Sequence, residues 1–128
     1  MIEETVEPNT TRGTRDNQIP LEKRPLVMLV DDDSHVIDFL RLLLEEQKYE
    51  VVTASGGAYA REKYVDITSR EGDNAIRLVI TDYRMPEMDG IQLMTEILQY
   101  DPKANVILMS GSVDRELPDR ALSAGARE

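Results

Sequence analysis

Short apolar runs alternate with helix-like patterns along the chain from about residue 25 onwards. A short, continuous apolar run is typical of a strand buried on both faces, whereas apolar residues three and four positions apart indicate a helix. The predicted strands are Leu26–Val30, Tyr49–Ala54, a run centred on Leu78–Thr81 that ends at Asp82, and Val106–Met109. The predicted helices are Ser34 to about Gln47 with Ser34 as N-cap, Gly57–Ser69, Ile91–Tyr100 and Leu117–Ala124. This alternation predicts an α/β fold with a parallel sheet covered on both faces and right-handed crossovers.

The first 24 residues differ from the rest of the chain. They are polar, with Pro8, Gly13 and Pro20 as breakers, and contain only scattered aliphatic side chains. Such a segment buries too little apolar surface to offset its ordering entropy. We therefore expect a disordered extension over residues 1–24 and one domain over residues 25–128, since 128 residues suffice for a single core.

Charge and cysteine content restrict the classes of partner. The formal net charge is −10, which argues against a nucleic-acid or anionic membrane surface, because either would need basic patches. The same charge favours cations as small partners. The chain has no cysteine and no apolar run of membrane-spanning length, so we expect a cytoplasmic protein with no membrane partner.

Carboxylates and hydroxyls follow the predicted strands. Asp31, Asp32 and Asp33 come after the first strand, Asp82 ends the third, and Ser110 follows the fourth. Ligands of open parallel sheets bind outside the carboxyl ends of the strands. If the first and third strands are neighbours, the carboxylates converge, and their repulsion is relieved by a cation. Oxygen ligands that leave room for water and phosphate suit Mg²⁺.

Each of these residues also has a purely structural interpretation. Asp33 fits a helix cap, and capping is the favoured interpretation for that residue. Capping alone explains Asp31 and Asp32 less well, because a third carboxylate, Asp82, is expected at the same edge of the sheet. The segment "MPEMDG" could be only a Pro and Asp-Gly turn, and Ser110 only a loop hydroxyl or a cap. His35 is expected to be an exposed residue of the first helical turn.

Four segments together resemble the receiver domain of two-component response regulators: "LVMLVDDDSHVIDFLRLLLEEQKYEVVTASGG", "LVITDYRMPEMDGIQLM", "NVILMSGS" and "ALSAGA". The resemblance implies a flavodoxin-like, doubly wound sheet with strand order 2-1-3-4. It implies that Asp82 accepts a phosphoryl group from a sensor histidine kinase or a phosphotransfer protein. It further implies Mg²⁺ binding by Asp31, Asp32, Asp82 and the backbone carbonyl of Arg84, with Ser110 as the switch hydroxyl that turns toward the phosphoryl group.

The sequence departs from the family pattern after "AGA". Family members continue into a fifth strand, a lysine followed by proline, and a fifth helix, and we expect these parts to be missing from a chain that stops at "AGARE". Lys103 lies in a predicted helix-to-strand loop and does not replace that lysine. The segment from Ser55 to Asp82 is also longer than usual. The fourth strand would then be an open edge, through which the chain could associate with itself.

Two alternatives remain open on the sequence alone. A pseudo-receiver that binds proteins without accepting phosphate is compatible with the absence of the family lysine. A haloacid-dehalogenase-like phosphatase is suggested by the aspartates in "DDD" after an apolar strand, but it leaves "TDYRMPEMDG" unexplained.

Overall fold

The computed structural model describes residues 24–109, which form a parallel sheet with helices on both faces. The elements in chain order are β1 (Leu26–Val30), α1 (Ser34–Glu46), β2 (Glu50–Ala54), α2 (Gly57–Glu71), β3 (Ile76–Asp82), α3 (Gly90–Tyr100) and β4 (Val106–Met109). The strand order is β2-β1-β3-β4, as the resemblance implied. Ser110, the predicted helix Leu117–Ala124 and the predicted extension up to residue 23 lie outside the described residues.

Strand β1 is the centre of the sheet and pairs in parallel with β2 on one side and β3 on the other. Its residues from Val27 to Val30 are fully buried, as expected for an apolar strand covered on both faces. At its carboxyl end Val30 lies opposite Ala54 of β2 and Thr81 of β3. The residues that follow these strands are therefore brought to the same edge of the sheet.

The two faces of the sheet carry separate apolar clusters, because successive strand residues point to opposite sides. Helices α2 and α3 cover one face, where Met28 and Val79 pack with Leu93 and Met94. Helix α1 covers the other face through Ile37, which packs with Val27 and Leu29 of β1. An ion pair of 3.1 Å between Arg61 Nε and Glu96 Oε1 also joins α2 to α3.

The structure corrects several predicted boundaries: β2 begins at Glu50 rather than Tyr49 and α3 at Gly90 rather than Ile91, and three further corrections have a physical cause. The N-cap of α1 is Asp33 rather than Ser34, since the extended backbone of Asp33 lets its carboxylate accept the His35 N–H. Helix α2 continues two residues past the predicted end at Ser69, and Gly72 follows it with a φ of 105°. Strand β3 starts at Ile76, because its amino-terminal half also pairs with β1.

The turn between α1 and β2 contains a strained residue. Lys48 has a φ of 70°, in the left-handed region that favours glycine. Its N–H donates to the Glu45 carbonyl, while the neighbouring Tyr49 N–H donates to that of Leu44. This turn reverses the chain directly into β2. Among the helices described here, none is long and apolar enough to cross a membrane.

Candidate functional site

Three carboxylates meet at the carboxyl-terminal edge of the sheet. Oxygen atoms of Asp31, Asp32 and Asp82 all lie within 4.8 Å of one another. They open into a cleft of about 740 Å³, whose lining also includes Asp33, Ser34, Val36 and Met109. The adjacency of β1 and β3 produces this cluster, because the two strands end at the same level of the sheet. We call it the Asp31–Asp32–Asp82 cluster.

Asp31 is held rigidly at the end of β1. It is buried, with 5% of its surface exposed, and its backbone N–H donates to the Ala54 carbonyl at 3.2 Å. The Asp33 N–H donates to Asp31 Oδ1 at 2.9 Å, which fixes the orientation of the carboxylate. Asp32, in contrast, is exposed at the mouth of the cleft. The cluster thus combines one buried and one accessible carboxylate from adjacent residues.

Asp33 lines the cleft but acts as a helix cap. Its Oδ1 accepts the His35 N–H at 2.9 Å, and its carboxylate also lies 3.5 Å from His35 Nδ1. The structure therefore supports the capping interpretation that the sequence favoured for this residue. His35 is exposed, as predicted, with 97% of its side-chain surface accessible.

Asp82 is fixed by the chain that follows it. Its Oδ1 accepts the Tyr83 N–H at 2.9 Å, and the same N–H lies 2.9 Å from the Met109 carbonyl of β4. Gly90 closes the loop by donating its N–H to the Tyr83 carbonyl at 2.8 Å. A Cβ at Gly90 would collide with the backbone oxygen of Asp82 and would lie 2.9 Å from Leu108 Cδ2. Glycine at this position therefore lets α3 begin directly against the end of β3.

Burial and mutual repulsion shift the acidity of the cluster. The pKa of Asp31 is raised above its usual value, first by burial and then by the charges of Asp82 and Asp32, although the Asp33 N–H opposes the shift. The pKa of Asp82 is also raised, first by burial and, among charges, by Asp32; the backbone N–H groups of Tyr83 and Arg84 oppose it. Both shifts mean that the negative charge is incompletely compensated by the surrounding protein.

The donor set of the cluster suits a hard divalent cation. Only carboxylate oxygens contribute to it, with no histidine or cysteine among them. Such ligands favour Mg²⁺ or Ca²⁺ over zinc, and a cleft with room for water and a phosphate suits Mg²⁺. A bound cation would also offset the repulsion that raises the pKa of Asp31 and Asp82.

The segment between β3 and α3 has a structural role in addition to any chemical one. Asp89 caps α3, since its Oδ1 accepts the Gln92 N–H at 2.8 Å. Met85 is buried, and the Arg84 guanidinium lies 5.4 Å from the centre of the Tyr83 ring. The chain bends within the predicted turn "MPEMDG", where the Met88 N–H donates to the Pro86 carbonyl at 2.7 Å. That the Arg84 carbonyl is a metal ligand remains a prediction.

Several features of the cleft were absent from the sequence-based prediction. Met109 and Val36 line it, the Tyr83 N–H orients Asp82, and Gly90 permits the close approach of α3. Met109 could have been found, because it is the last residue of a predicted strand at this edge. Lys103 lines a different cavity, at the opposite edge of the sheet, as its predicted loop position implied.

Comparison with known families identifies the family to which this fold belongs. A family model described as the response regulator receiver domain matches residues 27–128. The chain belongs to this family. The receiver-domain resemblance found in the sequence motifs is thus confirmed, and receiver domains are signalling domains.

Relatives of this receiver domain occur in both short and long proteins. The chemotaxis protein CheY of Treponema pallidum is 32% identical over 124 residues, which cover 96% of the chain and 80% of that protein. The putative two-component response regulator ARR13 of Arabidopsis thaliana is 37% identical over 100 residues, or 78% of the chain. The chain spans only 17% of the length of that plant protein.

Solved structures share the receiver fold. The CheX-CheY-BeF3-Mg+2 complex from Borrelia burgdorferi matches with a TM-score of 0.73 and 30% identity, covering 88% of this chain and 78% of that one. A receiver domain from Clostridium thermocellum matches with a TM-score of 0.69 and 30% identity, covering 80% and 77% of the two chains. The flavodoxin-like, doubly wound fold implied by the sequence motifs is therefore confirmed.

Proposed function

We propose that this receiver domain accepts a phosphoryl group on Asp82 from a sensor histidine kinase or a phosphotransfer protein. The observation that carries the proposal is the position of Asp82, at the end of β3 and within 4.8 Å of the Asp31 and Asp32 carboxylates. Asp82 is thus an oriented carboxylate at an open cleft, as in-line attack on phosphorus requires.

The residues of the cluster have different roles in the proposed phosphoryl transfer. An oxygen of Asp82 forms the new bond to phosphorus while the bond to the donor histidine nitrogen breaks, and the electron pair of that bond stays on the nitrogen. The Tyr83 N–H holds Asp82 Oδ1 and so limits rotation of the nucleophile. Asp31 and Asp32, together with Asp82 and the Arg84 carbonyl, would hold Mg²⁺. When bound, Mg²⁺ supplies positive charge that offsets the charge on the transferring oxygens.

Ser110 is proposed as the switch hydroxyl that contacts the phosphoryl group. It follows Met109, the last described residue of β4, whose side chain lines the cleft. A hydroxyl that binds the phosphorylated form more strongly than the free form shifts the population of the following loop. Ser110→Ala should therefore leave phosphorylation of Asp82 intact. It should remove the changes in backbone amide NMR shifts that phosphorylation causes in that loop of the wild type.

The partners of the relatives support this proposal. The Borrelia burgdorferi CheY was solved in complex with CheX together with BeF3 and Mg²⁺. By analogy, we expect this chain to bind a signalling protein over the cleft, in the cytoplasm and without nucleic-acid or membrane contacts.

The pseudo-receiver remains the second candidate. Within the described residues, no lysine lines the cleft, and the carboxylates there could serve protein binding as well as phosphate chemistry. Acetyl phosphate and Mg²⁺ added to the chain discriminate between the two functions. One added phosphoryl group by intact mass, absent in Asp82→Asn, supports the phosphoacceptor. Protein binding without any labelling supports the pseudo-receiver. The haloacid-dehalogenase-like alternative has no support from the family assignment.

Self-association through the edge of β4 is a further part of the proposal. In the described part of the chain, β4 pairs with β3 alone, and Ile107 at this edge is 36% exposed. An open strand edge with apolar side chains can pair with another chain, and a lysine at the edge opposes that pairing. Sedimentation should show concentration-dependent association that Ile107→Lys abolishes; a monomer at all concentrations would contradict it.

A further inference from the structure

Two apolar side chains face the cleft of the Asp31–Asp32–Asp82 cluster instead of the core. Val36 of α1 and Met109 of β4 both line this cleft, and both are half-buried. In the part of the chain that the structure describes, neither packs into the apolar clusters on the two faces of the sheet, although their neighbours Ile37 and Leu108 do. Packing of the described core therefore does not account for Val36 and Met109, which we call the apolar pair.

Met109 is the neighbour of Asp82 at the end of the β3–β4 pairing. The two residues lie opposite each other, and neighbouring strands are about 4.8 Å apart, so their side chains leave the same face of the sheet side by side. The Tyr83 N–H lies 2.9 Å from both the Met109 carbonyl and Asp82 Oδ1. This shared donor fixes the backbone of Met109 relative to the Asp82 carboxylate.

Val36 belongs to the first turn of α1, which is tied to the end of β1. The Asp33 N–H donates to Asp31 Oδ1, and the Asp33 carboxylate in turn accepts the His35 N–H, each at 2.9 Å. These two hydrogen bonds hold the start of the helix against the buried carboxylate of the cluster. The position of Val36 at the cleft therefore follows from contacts of the cluster itself.

Attack by water is the reaction that would end a phosphorylated state of Asp82. The water oxygen bonds to phosphorus while the bond from phosphorus to the Asp82 oxygen breaks, and the electron pair of that bond returns to the carboxylate. A proton of the water passes to the released phosphate. Water beside the phosphoryl group is held by hydrogen bonds, to which valine contributes no group and methionine only a weakly accepting sulfur. The apolar pair therefore forms the part of the cleft wall that holds water least well.

We propose that the apolar pair prolongs the phosphorylated state of Asp82 by keeping water away from the phosphoryl group. The inference rests on the phosphoacceptor function proposed above, and it adds the residues that set the lifetime of the phosphorylated product. Exclusion of water from a reactive group suppresses its hydrolysis. Met109 has the larger side chain and lies directly opposite Asp82, so it makes the larger contribution.

The test measures how fast the full chain loses its phosphoryl group. Wild type and variants are phosphorylated with acetyl phosphate and Mg²⁺, the donor is removed by rapid desalting, and the remaining phosphoryl group is followed by intact mass. Met109→Gln keeps the length of the side chain but supplies hydrogen-bonding groups for water, so we expect it to shorten the half-life about threefold to tenfold. Met109→Leu keeps an apolar side chain of similar volume and should leave the half-life nearly unchanged.

A second variant and a control separate water access from stability. Val36→Thr keeps the shape of valine and adds a hydroxyl, so it should shorten the half-life less than Met109→Gln does, and it remains informative if Met109→Gln fails to fold. Ile107→Gln is the control, because Ile107 lies on the same strand and face as Met109 but does not line the cleft. It should leave the half-life unchanged, even where its midpoint of urea unfolding falls as far as that of Met109→Gln.

The rates of gain and loss of the phosphoryl group should respond differently. Labelling by acetyl phosphate involves no attack by water, so Met109→Gln should change its initial rate much less than the rate of loss. Equal half-lives of wild type and Met109→Gln would overturn the inference alone. Equal shortening by Met109→Leu or by Ile107→Gln would also overturn it, because packing would then explain the effect. No labelling of the wild type would overturn the function proposed for Asp82, and this inference with it.

Discussion

Replacement of Asp82 by asparagine should make the metal-free domain more stable. The amide has the shape of the carboxylate and can still accept the Tyr83 N–H, which lies 2.9 Å from Asp82 Oδ1. It removes one of the charges that lie within 4.8 Å of one another in the cluster. The substitution therefore changes the electrostatic repulsion with little change in packing.

The magnitude follows from Coulomb's law. Two unit charges 4.8 Å apart repel by about 0.9 kcal/mol in water and about 3.5 kcal/mol at an effective dielectric constant of about 20. Asp32 is exposed, which favours the smaller value, and the attraction between Asp82 and Arg84 is lost as well. We expect a net stabilisation of about 1 kcal/mol, which corresponds to a rise in Tm of about 4–8 °C for a domain of this size.

The effect should depend on pH in a defined direction. The pKa of Asp82 in the folded chain is raised above its usual value of 3.8, so the folded state holds the proton more tightly than the unfolded state. The destabilisation by the charged form is complete above the raised pKa and disappears as the pH falls towards 3.8. The advantage of Asp82→Asn should therefore be largest at neutral pH and should shrink in acid.

The assay is urea unfolding of both proteins with EDTA at several pH values, repeated with Mg²⁺. Mg²⁺ should stabilise the wild type by mass action and the variant less, because one ligand has been weakened. Asp38→Asn, which removes an exposed carboxylate of α1 outside the cluster, is the control and should have little effect. A variant no more stable than wild type in EDTA at neutral pH, or an advantage unchanged in acid, would refute the electrostatic argument.

Three further substitutions test the geometry of the fold. Lys48→Gly should stabilise the domain by about 1 kcal/mol in urea unfolding, because its φ of 70° costs a non-glycine residue energy; no gain would mean that the turn is unstrained. Gly90→Ala should destabilise it by about 1–3 kcal/mol and reduce the thermal shift with Mg²⁺, since the new Cβ displaces Asp82; unchanged midpoints would contradict this close approach. Tyr64→Phe should cost about 1–2 kcal/mol in the same assay, because the hydrogen bond to Asp101 is lost; a neutral result would show that this bond contributes nothing.

The strands were predictable where their boundaries are marked by a change of polarity. β1 and β4 have the predicted bounds, because each is a continuous apolar run that begins after Pro25 or Asn105 and ends before a polar residue. The end of α2 was missed, since Arg70 and Glu71 are compatible with either a helix or a loop. Gly72, with its positive φ, is what ends the helix.

The site was predictable in composition but not in geometry. The order of the motifs implied that Asp31, Asp32 and Asp82 meet, and the pairing of β1 with β3 brings them together. The predicted N-cap, Ser34, was wrong by one residue, because Asp33 and Ser34 are both residue types that cap helices well. The extended backbone at Asp33, with φ −97° and ψ 109°, decides it. The cavity lined by Lys103 was not foreseen, because it depends on where α2 and α3 end relative to each other.

The central claim, that Asp82 is the phosphoacceptor, is tested most directly by locating the phosphoryl group. The chain is treated with acetyl phosphate and Mg²⁺, reduced with borohydride, digested and sequenced by mass spectrometry. Reduction converts a phosphorylated aspartate to homoserine and so marks the position of the acyl phosphate. We predict homoserine at Asp82, dependent on Mg²⁺ and absent when Asp32 is replaced by alanine. Homoserine at Asp31, Asp32 or Asp33, or none under any of these conditions, would contradict the assignment.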